Sequence, residues 1–196
     1  MKYASTHQHL LAELERVDAI LDAYDSTEGI ELSDGSERAD TDQSVDEPGE
    51  LPLALPPGDR RRVAELTAEI NERCRETDGT RLRLRVLAET FGLSRRHLDV
   101  LVLALAPEVD ERYRERFQRA HDRQSLARPT PGFLERLVGR TPSERLAAGR
   151  LVERSSPLRQ HDLIDLQLPP DPGLGKRSRL ITVPERVVDY PRGDAC

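Results

Sequence analysis

Five cations are placed where they could contact phosphate groups or an anionic partner. Two of them begin the second half of a stretch that reads as helix, tight turn, helix, with Gly92 to Ser94 as the corner. The other three follow a Pro- and Gly-rich stretch near the C-terminus. In a helix-turn-helix, the second helix reads base edges with Arg, Lys, Asn or Gln side chains on an exposed face. The five candidates are Arg95, Arg96, Lys176, Arg177 and Arg179.

The second helix of this stretch offers little else to a DNA groove. After His97 and Asp99 it contains only Leu, Val and Ala as far as Ala106. A helix that is apolar on nearly every side belongs in a core, where each large aliphatic side chain contributes roughly 1.5–3 kcal/mol. We therefore predict that this helix is buried. The three C-terminal cations then remain either as weak, sequence-independent phosphate contacts or as a solvated loop.

No catalytic or cofactor-binding residue is predicted. The segment "GLGK" at residues 173–176 resembles the end of a phosphate-binding loop, but that motif requires Gly where Pro170 stands and Ser or Thr where Arg177 stands. A nucleophile elbow of the G-x-S-x-G type does not occur. We expect neither an enzyme activity nor a cofactor.

No metal site is predicted either. His7 and His9 share an H-x-H spacing, but near a chain end we interpret them as solvated side chains. The other histidines have no carboxylate or cysteine at ligand spacing, and Cys74 and Cys196 are far apart, which excludes a disulfide framework. The histidines concerned are His97, His121 and His161.

Charge is unevenly distributed along the chain. The formal net charge is −6, whereas residues 1–57 alone carry −11, so the remaining residues are net basic by about +5. An acidic chain slows its association with polyanions. The chain contains 28 Arg and two Lys, which suits a halophilic or high-GC organism. Since no run of 18 apolar residues occurs and acidic residues interrupt the N-terminal stretch, we expect a cytoplasmic location.

The N-terminal 24 residues predict an amphipathic helix with an apolar seam. Its members, Leu10, Leu14, Val17, Leu21 and Tyr24, are spaced by alternating fours and threes, as in a heptad repeat. Residues 25–58 are rich in Asp, Glu, Ser, Gly and Pro, and we predict a disordered acidic linker there. The seam would either dock on a partner or another subunit, or pack back on its own domain.

Residues 59–190 predict a helical domain that ends in a hairpin. Helices are expected over 59–77, 82–91 and from residue 95 to Pro107, with Gly92 as a left-handed C-terminal residue and Ser94 as an N-cap. Thr130 and Thr141 begin two further helices, the second with Glu144 in a capping box. After them, period-two patterns at residues 161–168 and 179–183 flank a Pro- and Gly-rich loop. Helix-turn-helix followed by such a hairpin is a winged-helix outline, and the predicted fold class is therefore mainly α with winged-helix character.

Five segments of the chain carry a family resemblance, namely 91–94, 103–110, 128–130, 158–166 and 179–190. They resemble the N-terminal, winged-helix-bearing region of a class of bacterial and haloarchaeal AAA-family ATPases. The resemblance covers about residues 80–190 and implies that this region precedes an ATPase module, which in some members accompanies contractile injection systems. The chain ends where that module would begin, so no ATP-binding residue carries over.

The sequence thus predicts a non-catalytic module that acts through protein–protein contacts, with an ATPase subunit or a second copy as partner. The domains expected are the helix 1–24, the linker 25–58, the domain 59–190 and a tail 191–196. The alternative is a winged-helix transcription regulator that binds DNA.

Overall fold

Nine helices and one two-stranded sheet make up the regular structure of residues 2–31, 53–77, 82–171 and 173–192, which the computed structural model describes. The fold is therefore mainly helical, as predicted. The elements are α1 (Thr6–Glu31), α2 (Pro57–Glu76), α3 (Arg83–Phe91), α4 (Arg95–Val109), α5 (Arg112–Ala120), α6 (Pro131–Val138), α7 (Pro142–Arg150), α8 (Pro157–Gln160), β1 (Asp165–Gln167), β2 (Leu180–Thr182) and α9 (Glu185–Arg192).

Helix α4 is the centre of the core. Its residues from Leu98 to Pro107 are all buried, which confirms the prediction of an internal helix. The helix does not end at Pro107, as the sequence suggested, but continues to Val109. Proline removes only one backbone hydrogen bond from a helix, and the N–H of Asp110 still donates to the carbonyl oxygen of Ala106 at 3.0 Å. The last turn therefore closes around the proline.

Helix α1 packs against α2, α3, α4 and α9. All five seam residues of α1 are buried in the same cluster as the apolar side chains of α4. Of the two alternatives for the seam, the structure therefore shows packing on the chain's own domain. Helix α1 also runs to Glu31, seven residues past the predicted end, so the predicted helix 1–24 is too short.

The polar side of α1 is joined to α5 by ion pairs. The Nη2 atom of Arg116 lies 2.7 Å from a carboxylate oxygen of Asp22 and 3.2 Å from one of Asp25, and Arg116 Nη1 lies 3.4 Å from Asp18. These three carboxylates follow one another at four- and three-residue intervals, so one face of α1 presents them together. Helix α1 is held by its apolar seam and by this acidic face.

The predicted helix ends at Gly92, Ser94, Thr130 and Thr141 are confirmed. Gly92 adopts φ +60°, in the left-handed region that favours glycine, and ends α3. The Ser94 side chain caps α4, and its partner in the capping box is the imidazole of His97. Thr130 caps α6 and Thr141 caps α7, where Glu144 completes the capping box. The helix-turn-helix corner thus forms where local sequence placed it.

The predicted hairpin is present, but its strands are shorter than the alternating patterns. Strand β1 pairs with β2 antiparallel, with Leu166 opposite Ile181. Leu168, the last residue of the alternating pattern, lies outside the strand and is 73 % exposed. The backbone N–H of Ile181 donates to the carbonyl of Pro129 at 2.9 Å, so β2 is fixed to the loop before α6.

Both ends of the predicted linker 25–58 belong to the folded structure. Residues 25–31 belong to α1, Leu53 and Leu55 are buried in the core, and α2 begins at Pro57. Residues 32–52 and most of the predicted tail lie outside the described residues. None of the helices in the described ranges has both the length and the hydropathy to cross a membrane.

Candidate functional site: an arginine-lined groove

A cavity of about 970 Å³ opens between α2 and the corner where α3 meets α4. On the α2 side its lining residues recur at three- and four-residue intervals from Arg60 to Arg75, so one face of that helix forms a wall. These two positions are 15 residues apart, or about 22 Å along a helix axis. The cavity is therefore an elongated groove.

Guanidinium groups dominate the lining of this groove, which we call the arginine groove. Seven arginines and one glutamate line it, together with aliphatic side chains of α2 and α4 such as Val63, Ile70 and Leu98. The groove therefore combines an apolar floor with cationic walls. The charged lining residues are Arg16, Arg60, Arg61, Arg75, Arg85, Arg95, Arg96 and Glu13.

The inner wall of the groove is a buried ionic cluster that joins α1 to α4. Arg95 donates from both terminal nitrogens to the carboxylate of Glu13, one of these hydrogen bonds being 2.8 Å long. Asp99 accepts from Arg96 Nη1 at 2.9 Å and from Arg95 Nε at 3.2 Å, and it also pairs with Arg16. Arg16 extends the cluster to α2 by donating to Thr67 Oγ1 at 3.4 Å.

The cluster contains three guanidinium groups and two carboxylates. Burial alone would raise the pKa of Glu13, but the adjacent Arg95 guanidinium outweighs it and holds the pKa well below its usual range. Burial, followed by repulsion from Arg95, lowers the pKa of Arg16 to about 9. Both shifts indicate that α1 and α4 bring an excess of positive charge into a poorly solvated position beside the groove.

His9 lies at the end of this cluster, which corrects the interpretation of His7 and His9 as a solvated pair. His7 is exposed, whereas His9 is buried, with its Nε2 atom 3.4 Å from Cys74 Sγ and 3.7 Å from Glu13 Oε1. Burial acts to lower the pKa of His9, but its hydrogen bonds with Cys74 and Glu13 outweigh burial and raise it to about 9. The N-terminal end of α1 is thus anchored against α2.

The five cations proposed from the sequence separate into two groups. Arg96 is buried and Arg95 is largely so, and both are engaged by Glu13 or Asp99, which agrees with the predicted burial of this helix. The other three lie in or beside the turn before β2. The Arg177 side chain is 68 % exposed, although it pairs with Glu135 of α6.

A family model described as "Winged helix domain, variant" matches residues 1–194. This range includes α1, the helix-turn-helix corner and the hairpin. The chain belongs to the winged-helix domain family. Neither a curated protein nor a solved structure matches it.

In this winged-helix chain, the second helix of the helix-turn-helix corner is a structural element of the core. Arg95 in its first turn binds Glu13 of α1, whereas Arg96 binds Asp99 of the same helix, which in turn pairs with Arg16 of α1. Sequence reasoning missed the partner of these residues because Arg16 and Asp99 are 83 positions apart. The available signal was Asp99 itself, since a carboxylate in a helix that is apolar on nearly every side requires a buried cation.

Proposed function

We propose that this winged-helix chain is a non-catalytic module that acts through contacts with another protein. The observation that supports the proposal best is the burial of α4 over Leu98 to Pro107, which leaves no face of that helix to enter a DNA groove. The first-turn arginines that could read bases are held by Glu13 and Asp99. Protein contact is the function that the remaining exposed surface serves.

The partner that we propose is an ATPase of the AAA family or a second copy of this chain. The support for an ATPase is the resemblance of residues 80–190 to the region that precedes the ATPase module in that class. On this proposal the chain itself contributes no nucleotide chemistry, because it has no phosphate-binding loop of the Walker type. The purified chain is then expected to hydrolyse no ATP above background.

Isolation of the partner tests this function directly. The tagged full chain is used to recover proteins from its own organism, an ATPase with Walker motifs is identified by mass spectrometry, and the two purified proteins are mixed. Light scattering after size exclusion should show a complex of the chain with that ATPase, or a defined homo-oligomer in its absence. A monomer that forms no complex with any such ATPase would contradict the proposal.

The alternative function, a DNA-binding regulator, rests on the cations in and beside the hairpin turn, of which Lys176 and Arg177 are exposed. A pool of random 30-bp duplexes tests it by selection at physiological salt. We expect weak, salt-sensitive binding without sequence preference, reduced by Lys176→Ala. Enrichment of one sequence, with protection that survives physiological salt, would favour the regulator instead.

A further inference from the structure

We propose that the arginine groove is the docking site for an acidic segment of a partner protein, bound along α2. This inference rests on the proposed function in that it requires a protein partner. It is more specific, because it names the surface that is used and the chemistry of the segment that binds there.

The charges of the groove support an anionic occupant. The seven lining arginines are opposed by Glu13 within the groove and by Asp99, Glu65 and Glu89 on its borders. Arg61 and Arg85 pair with Glu65 and Glu89, and Arg16, Arg95 and Arg96 are engaged with Glu13 and Asp99 in the buried cluster. Among the described residues, no carboxylate lies within ion-pairing distance of Arg60 or Arg75, and Arg60 Nε is buried without a hydrogen-bond partner. The guanidinium groups that can receive an anionic occupant are therefore those of Arg60 and Arg75, at the two ends of the groove.

The shape of the groove supports a polypeptide over a compact anion. The wall from Arg60 to Arg75 is about 22 Å long, the length of roughly four helical turns. Between these ends the accessible floor includes the apolar side chains of Ala64, Ala68 and Leu93. A single phosphate or carboxylate would leave most of this apolar surface uncovered. An amphipathic segment with carboxylates on its margins and aliphatic side chains on one face would contact both the arginines and the apolar floor, which is a common mode of helix recognition.

The absence of aromatic side chains argues against a nucleic-acid occupant. Single-stranded nucleic acid is bound largely by stacking of bases on aromatic rings, and none of the lining residues is aromatic. Arg is also the commonest polar residue of the lining, and its guanidinium forms paired hydrogen bonds with carboxylates. Glu and Asp side chains of a peptide therefore match it.

Fluorescence anisotropy with a defined peptide tests the docking site. The probe is a fluorescein-labelled 16-residue peptide of Glu, Leu and Ala, designed as an amphipathic helix, and the control probe has Gln at every Glu position. Binding is measured on the full chain and on a variant in which every Asp and Glu between positions 34 and 50 is replaced by Asn or Gln. In this variant the carboxylates of that segment cannot compete with the peptide. We expect the Glu peptide to bind at least one of these chains and the Gln peptide to bind neither.

Charge reversal on α2 locates the binding. The double variant Arg60→Glu, Arg75→Glu should lower the affinity for the Glu peptide about tenfold or more, because each reversal places like charges opposite one another. The matched control is Arg62→Glu, an exposed residue of the same helix that does not line the groove, and it should change affinity less than about twofold. Circular dichroism melts verify that all three proteins are folded.

Three outcomes would overturn the docking site. In the first, the Glu peptide binds neither chain. In the second, Arg62→Glu weakens binding of the Glu peptide as much as the double variant does. In the third, tripolyphosphate or duplex DNA displaces the peptide at equal charge. The double variant also separates this inference from the proposed function. If the variant still forms the complex with the ATPase or with itself, the groove is not the docking site, although a protein-contact function stands.

Discussion

At the scale of single residues, Asp99 is the carboxylate that three guanidinium groups share. Removing its charge leaves Arg16 and Arg96 buried with an unbalanced charge. We therefore expect Asp99→Asn to lower the free energy of unfolding by about 3–5 kcal/mol, measured by urea denaturation. The control, Glu65→Gln, removes a carboxylate from an exposed pair with Arg61 and should cost less than about 1 kcal/mol. Equal losses in the two variants would show that burial of the cluster does not matter.

His121 makes stability depend on pH in the acidic range. Burial lowers the pKa of His121 to about 4, and its Nε2 atom lies 3.1 Å from the carbonyl oxygen of Arg128. Because the folded pKa is below the unfolded value of about 6.5, the unfolded chain binds more protons between these pH values. The stabilisation is thus complete above pH 6.5 and is lost as pH falls toward 4.

We expect the free energy of unfolding to fall by about 2 kcal/mol between pH 6.5 and 4.5, measured by urea titrations at fixed salt. His121→Gln, which retains a side-chain N–H donor, should remove most of this slope. The elevated pKa of His9 acts in a different window, since its stabilisation is present below pH 6.5 and is lost as pH rises toward 9. If His121→Gln keeps the full loss of unfolding free energy between pH 6.5 and 4.5, carboxylates and not His121 cause that loss.

At the scale of elements, α1 supplies core surface although it lies at the N-terminus. Ile20 has no exposed surface, whereas Leu11 on the same helix is 47 % exposed. Ile20→Ala should therefore cost about 2–5 kcal/mol of unfolding free energy, and Leu11→Ala less than about 1 kcal/mol. Thermal and urea denaturation of both variants provide the comparison. Similar small losses would mean that α1 is only loosely attached.

The element boundaries show which structural information is local. The caps at Ser94, Thr130 and Thr141 and the turn at Gly92 could be predicted because each depends on residues within one helical turn. The passage of α4 through Pro107 and the extension of α1 could not, because neighbouring elements decide both. The heptad seam predicted an apolar face on α1, but the spacing of residues within one helix does not indicate which helix covers that face.

The arginine groove was missed for the same reason. Its arginines come from four helices that are separated in sequence by up to 80 residues. In a chain with 28 Arg, no local excess marked these seven. Arg95 and Arg96 were recognised as candidates from their place in the helix-turn-helix corner, but the buried carboxylates that engage them, Glu13 of α1 and Asp99, could not be inferred from that place.

At the scale of the whole molecule, α1 and the body behave as one folding unit. A chain beginning at Leu53 lacks the seam and Glu13, so α4 loses both its apolar cover and a carboxylate partner. We expect this shortened chain to show no cooperative thermal transition by circular dichroism. In contrast, when the full chain is cut at a protease site placed within residues 32–52, the two fragments should elute from a size-exclusion column as one complex. Separation of the two pieces on cutting would contradict the shared core.

The order in which the ribosome makes the chain gives the α1–α4 contact a further consequence. Arg16 is synthesised 83 residues before Asp99, its partner in α4. At roughly 5–20 residues per second, the nascent α1 therefore waits about 4–17 seconds for α4, whose apolar side chains share a core with its seam. During this interval Asp18, Asp22 and Asp25 carry the negative charge that keeps a solitary amphipathic segment apart from other nascent chains. The acidic side of α1 is thus required before the fold exists as well as within it.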